Sequence, residues 1–165
     1  MDVIFNRTSV RTFQEQPVEN DKIELLLKAA MAAPSAANQQ PWEFYVVTDK
    51  DTLDQLSKCS PYAGCTKLAP LAIVTCYREN IMMPDYAEID MSACTENILL
   101  EAEELGLGAV WLGIAPLPDR MEMVRDVLKI PRELEAFAII PCGYPLKKTA
   151  QQDRYDRTRV HYVKA

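Results

Sequence analysis

The chain has 165 residues, enough for one domain with a sizeable core. Hydrophobic residues make up 48% and charged residues 25%, a globular balance that excludes a disordered chain and a disulfide scaffold. Lys and Arg number 18 against 24 Asp and Glu, for a net charge of -6, so the surface as a whole repels nucleic acid and anionic membranes. Any anion must be held by a local basic cluster.

The cysteines (Cys59, Cys65, Cys76, Cys94, Cys142) are odd in number and include no CxxC, which points to neither disulfides nor a metal site. The opening MDVIFNRTSVR lacks a basic leader with an apolar run behind it, and no stretch of about 18 apolar residues occurs. Neither a standard export signal nor a membrane span is expected, and a reducing cytoplasm is the expected location.

Residues 21–33 carry Ile23, Leu26, Leu27, Ala30 and Met31 at helical spacing, with Asn20 as the expected cap and Pro34 as the stop. Residues 43–48 read as a strand, rich in aromatic and β-branched side chains, and Asp49 then caps a short helix over 50–58. Residues 71–77 form a second strand, apolar enough to be central. Pro84 opens the longest helical pattern, with Met91, Cys94, Ile98, Ala102 and Leu105 on one face, and Gly106-Leu107-Gly108 ends it. A strand over 109–112, a helix over 118–128 with Met121, Val124 and Leu128 inward, and a strand over 136–142 complete a mixed α and β order. With no repeat or linker, residues 1–165 read as a single domain. The polar residues 146–165 have no periodic face, yet hold Tyr155, Val160, Tyr162 and Val163, which packing on a neighbouring subunit would explain.

Four segments hold candidate chemistry. In Arg7-Thr8-Ser9-Val10-Arg11 the arginines are four apart, close enough in a helical turn or tight bend to converge on a phosphate, with Thr8 and Ser9 adding hydroxyls. Taken alone, the same residues also read as two solvated arginines beside a capping serine. The stretch Pro34-Ser35-Ala36-Ala37-Asn38-Gln39-Gln40-Pro41-Trp42 joins a helix to a strand with small and amide side chains that let a planar ligand approach, or is an ordinary loop. Gly113 removes a side chain at a strand end, where ligands reach the edge of an α/β sheet, while Trp111 reads as core. The glycine spacing around it is not a dinucleotide fingerprint. In the tail, Arg154, Arg157 and Arg159 are either a solvated basic end or a source of one more phosphate ligand. His161 has no identifiable partner for general-base work.

Together these segments resemble the nitroreductase family, in its short form. Arg7-Thr8-Ser9-Val10-Arg11-Thr12-Phe13 is similar to the family's opening Arg-x-Ser-x-Arg-x-Phe, and the 34–42 stretch to its Pro-Ser-x-x-Asn-x-Gln-Pro-Trp. Gly106-Leu107-Gly108 through Trp111-Leu112-Gly113 resembles its Gly-Leu-Gly-x-x-Trp-x-Gly, and Gly143-Tyr144-Pro145 with the later Arg154-Tyr155-Asp156 and Val160-His161-Tyr162 its closing pattern. The resemblance implies an α+β fold with a central mixed or antiparallel sheet flanked by helices. It further implies a homodimer with FMN at the interface, in which residues 146–165 cross to the partner and add a fifth strand to its sheet. Arg7, Thr8, Ser9 and Arg11 would then hold the phosphate and pyrimidine side of FMN, and Arg154 would complete the phosphate grip. Ser35, Ala36 and Asn38 would arrive from the other subunit, and Gly113 with Ile114 would lie along the isoalloxazine edge.

The implied activity is reduction of nitroaromatic, quinone or flavin-like small molecules by NAD(P)H in ping-pong fashion. The flavin N5 carries that chemistry, and no catalytic side chain is called for. Two departures bear on it: many members have a carboxylate where this chain has Gly113, and the short span from Tyr77 to Leu105 leaves no room for a lid, so an open cleft is expected. An FMN-binding electron relay without NAD(P)H oxidation, or dehalogenation, flavin fragmentation or heterocycle oxidation on the same fold, are the rival readings.

Overall fold

The chain order is α1 (Val3–Asn6), α2 (Asn20–Met31), β1 (Trp42–Val47), α3 (Lys50–Leu56), β2 (Leu71–Arg78), α4 (Ala87–Glu104), β3 (Gly108–Ala109), β4 (Leu112–Gly113), α5 (Pro118–Leu128) and β5 (Leu134–Gly143). Short 3-10 turns at Ala36–Asn38, Ala63–Leu68, Pro84–Tyr86 and Arg157–Arg159 lie between or after them. The structure, a computed structural model, describes residues 2–147, 150 and 153–163.

The strands form one sheet in the order β1-β2-β5-β3, with β4 also on β5, and every strand pair is antiparallel. A parallel bridge from Ser9 to Ala109 makes it mixed. The most apolar strands, β2 and β5, take the centre because both of their faces are covered. Alternation along β2 divides the core: Leu71 and Ile73 face α2 and α4 with Leu26, Met91, Cys94 and Ile98, whereas Ala72, Val74 and Cys76 face α3 and α5 with Leu53, Leu56 and Val124. Buried Arg125 ties α5 to β5 through Glu135, 2.8 Å away, and through the carbonyl of Pro131 at 2.7 Å.

Three details differ from the sequence expectation. Helix α2 begins at Asn20, with Glu19 in the capping position, and it stops at Met31 because the residue before Pro34 is barred from helical backbone. The strand expected over 109–112 is split into β3 and β4. Register is unbroken, since Ala109 faces Cys142 and Leu112 faces Ile139, but Val110 meets Pro141, which accepts a bond from Val110 N at 3.3 Å and has no N–H to return. Thirdly, residues 143–146 turn back along the N-terminal segment: Gln14 N donates to Tyr144 O at 2.8 Å and Leu146 N to Thr12 O at 3.1 Å. Beyond that point the described part of the arm leaves Tyr155 and Tyr162 exposed and Val163 100% exposed. Residues 148–149, 151–152 and 164–165 of the arm lie outside the described residues. No helix among the described residues is long and apolar enough to cross a membrane.

Helix α4 ends in a Schellman turn, in which Gly106 takes a left-handed φ of +72°, its N–H donates to Glu103 O at 3.1 Å and Leu107 N donates to Ala102 O at 2.8 Å. That turn delivers Gly108 against Val10, where an added Cβ would lie 2.6 Å from a Val10 methyl carbon. Gly108→Ala is therefore expected to lower unfolding free energy by about 1–3 kcal/mol in urea titration. A loss under about 0.5 kcal/mol would mean that Val10 moves aside freely.

Candidate functional site

Arg7 closes α1, its N–H bonded to Val3 O at 2.9 Å, and its own φ/ψ of -60°/126° turns the chain extended. Val10 N then donates to Ala109 O at 3.0 Å, laying the segment beside β3. The segment is therefore extended and not a helical turn or bend, with Val10 buried and Ser9 and Arg11 exposed on the other side. Arg7, its side chain only 18% exposed, lies 3.5 Å from Glu96 on α4, and Thr8 is half-buried. Arg11 acts on the thiol of Cys65 in the Ala63–Leu68 turn: burial pushes that thiol up, and the Arg11 charge draws it partly back.

The 34–41 loop is built on a buried carboxylate that sequence reading missed. Asp90, 4% exposed in the first turn of α4, accepts Ala36 N at 2.9 Å and Gln39 Nε2 at 2.7 Å. Gln39 also clasps both backbone groups of Met83, donating to its O at 3.1 Å and accepting from its N at 2.9 Å. Ala37, Asn38 and Gln40 hold positive φ of 49°, 54° and 47°, and Arg78 Nη2 secures the exit by donating to Gln40 O at 2.6 Å. Ser35 Oγ accepts Gln40 N at 3.0 Å, which leaves its hydroxyl proton to donate, and Asn38 Oδ1 accepts Gln40 Nε2 at 2.9 Å, which leaves its NH2 outward. The one signal for Asp90 was position: it stands four residues before Cys94 and eight before Ile98, an acid on the apolar face.

At the end of β4, Ile114 is fully buried and gives its N–H to Phe137 O at 3.2 Å. Gly113, one residue earlier in the ladder, turns its N–H and C=O away from β5. It is exposed, and a Cβ there would meet only Ala115 O at 4.0 Å, so the edge is open. Arg120 donates to the Gly113 carbonyl from outside at 3.3 Å.

One chain does not bring all the predicted residues together. Ala36 hangs from Asp90 and Arg7 from Glu96, six residues further along α4, a rise of about 9 Å. Among the described residues no hydrogen bond, ion pair or bridge joins the 34–41 loop to the 7–11 segment, or joins exposed Arg154 to either. A cleft of about 560 Å³ lies elsewhere, between Phe13, Val18, Leu53, Leu68, Leu71 and Leu146, and includes none of the predicted residues. The cysteines are free, and burial pushes Cys76, Cys94 and Cys142 up to about 12, which leaves those thiols inert.

The family model of nitroreductases matches residues 4–69 and 67–144. The chain belongs to the nitroreductase family. A relative from Methanothermobacter thermautotrophicus, provisionally assigned as an NADH dehydrogenase or NAD(P)H nitroreductase, is 38% identical over 165 residues, covering 99% of this chain and 86% of the relative. A solved structure from Clostridium acetobutylicum, provisionally assigned as an NADH oxidase, matches with a TM-score of 0.96 at 45% identity, covering 99% of this chain and 100% of that one. An FMN-dependent nitroreductase from Clostridium difficile R20291 matches with a TM-score of 0.91 at 31% identity, over 99% and 98% of the two chains.

In this member of the nitroreductase family the 34–41 loop is tied to Asp90. Asp90→Ala is expected to cost about 1.5–3 kcal/mol by chemical denaturation, because two donors lose an ionised acceptor, and to speed proteolysis between residues 34 and 41. Asp90→Asn, which keeps one acceptor oxygen, should fall between the two. Equal stability of all three proteins would show that the loop holds its backbone without the carboxylate.

Proposed function

We propose that this chain, an oxidoreductase of the nitroreductase family, binds FMN and uses NAD(P)H to reduce a small oxidised acceptor such as a nitroaromatic, a quinone or a free flavin. The observation that carries the reading is the strand-like segment locked to β3 at Ala109, which sets Ser9 and Arg11 outward, with Arg7 two residues before Ser9, while Gly113 leaves an open edge four residues beyond Ala109. Two guanidiniums and a hydroxyl are the donor set for a phosphate monoester in an otherwise acidic chain. No glycine-rich turn is available for the pyrophosphate of FAD. The residues fit FMN.

Arg7, Ser9 and Arg11 would hold the phosphate and pyrimidine side, with Thr8 beside them. The outward N–H of Gly113 would meet the isoalloxazine edge, and buried Ile114 would support it. When bound, FMN would accept hydride from NAD(P)H and pass it to the acceptor, with both occupying one open face in turn, hence ping-pong kinetics.

The free donors of Ser35 and Asn38 suit the same cofactor, yet their loop is anchored at a different point on α4 from Arg7. We infer that they serve the FMN of a second copy, making a homodimer with the cofactor at its interface. The arm supports the same arrangement. Tyr155, Tyr162 and Val163 stand exposed in one chain, and crossing to the partner would cover them and bring Arg154 to a phosphate. On this reading the chain is one FMN-binding unit of 165 residues with a crossed arm from residue 146.

The purified protein is expected to carry about one FMN per subunit, identified by chromatography after denaturation, and to bleach rapidly on anaerobic stopped-flow mixing with NADH or NADPH. Recovery of FAD would overturn the cofactor assignment, and a flavin spectrum unchanged over minutes would favour an electron relay without NAD(P)H oxidation. Truncation after Pro145 should shift the protein toward monomer or aggregate and lower its ratio of flavin to protein absorbance in the same light-scattering run. A truncated dimer with its full flavin complement would make the arm peripheral.

A further inference from the structure

Arg120 stands in the first turn of α5 and reaches back to β4, where it donates to the Gly113 carbonyl at 3.3 Å. Its guanidinium carbon lies over the Tyr62 ring, 5.7 Å from the ring centre, within cation–π reach. Tyr62 itself is 73% exposed. A guanidinium has five N–H donors, and among the described residues one is spent.

No carboxylate among the described residues neutralises this charge. Glu122, two positions on, is held by Arg125 and Arg132. The Ala63–Leu68 turn that follows Tyr62 carries Cys65, on which the Arg11 charge acts. What remains is an oriented, unpaired cation on an aromatic support, beside a strand end where no side chain fills the space.

We propose that Arg120, seated over Tyr62, is a specificity-determining residue of the acceptor face and favours aromatic oxidants that carry an anionic group. The inference rests on the reading that the Gly113 edge borders bound flavin. The acceptor's ring lies over the flavin at this edge, and its carboxylate or equivalent anion takes the free fork of Arg120. Tyr62 acts through Arg120 as a positioning residue.

The test compares 4-nitrobenzoate with 4-nitrobenzamide, alike in ring and nitro group and different in charge, on the flavin-loaded protein. Wild type is expected to favour the benzoate about 10- to 100-fold in kcat/KM, as a charge-assisted bond would give. Arg120→Gln should bring the ratio of the two kcat/KM values close to one, chiefly by raising KM for the benzoate. Arg120→Lys should keep part of it, and Tyr62→Leu should lower it without abolishing it. Calorimetric titration with benzoate, which accepts no electrons, gives a readout apart from turnover: the expected result is binding to wild type and at least about tenfold weaker binding to Arg120→Gln.

Loss of both substrates in equal proportion, or no charge preference in wild type, would overturn the assignment. A higher KM for NADPH but not NADH, with the benzoate unaffected, would make Arg120 a reader of the donor's phosphate and overturn its role toward the acceptor. A folded protein that takes up no FMN removes the cofactor reading beneath the inference, whereas a flavin-loaded protein blind to charge removes only the role of Arg120.

Discussion

The contact between Val10 and Gly108 decides where the basic segment can lie. Gly108 has no side chain to push Val10 away, so Val10 sinks beside β3 and its N–H reaches Ala109 O at 3.0 Å. Alternation along the extended backbone then turns Ser9 and Arg11 outward. The arrangement reaches back into α4, because only a left-handed residue at Gly106 ends that helix sharply enough to start β3 where it does. It also reaches forward: β3 and β4 keep one register along β5, so whatever fixes Gly108 fixes Gly113 as well. Two glycines at one helix end thus set both the basic row and the register of the open edge at Gly113.

Helix α4 supplies the second fixed frame. Its inner face packs under the sheet through Met91, Cys94 and Ile98, and Asp90 continues that face into the 34–41 loop. A buried carboxylate is costly unless it is hydrogen-bonded, and here each oxygen has a donor. Those bonds hold three non-glycine residues at positive φ, a conformation that costs of order 1–3 kcal/mol each when nothing compensates it. A loop strained in this way and tied at Asp90, Met83 and Arg78 presents Ser35 and Asn38 in one fixed arrangement. Rigid presentation of adaptable donors is what a cofactor contact requires.

Much of this was legible in the sequence because the signals are local. The strands over 43–48, 71–77 and 136–142 announced themselves by aromatic and β-branched side chains or by continuous apolar runs, and Asp49 does cap α3, accepting Thr52 N at 2.9 Å. What escaped depends on partners far along the chain. The break between β3 and β4 is caused by Pro141, some thirty residues later and on another strand. The extended form of residues 7–11 follows from Ala109, since the i, i+4 spacing of Arg7 and Arg11 suits a helix equally well. Asp90 gave a faint sign as an acid on an apolar face, and Arg120 gave none, because an arginine in the first turn of an exposed helix is ordinary until Tyr62 and Gly113 are seen beside it.

The same nonlocal geometry bears on the opposition between an acidic protein and the anionic cofactor proposed for it. At a net charge of -6 the surface disfavours phosphates and carboxylates at long range, and beyond a Debye length of roughly 8 Å salt removes most of that field. Close in, local charge decides. Glu96 holds Arg7 to α4 at 3.5 Å, but Arg11 and Arg120 have no carboxylate partner among the described residues. Arg11 lies on the segment bonded beside β3 and Arg120 reaches the β4 edge from α5, so the low-dielectric sheet is close to both charges and strengthens their attraction for an anion. Charge selectivity at this edge therefore need not follow from net charge. It depends on where the fold leaves a cation unpaired, and Arg120, bonded to the Gly113 carbonyl, is one such cation at this edge.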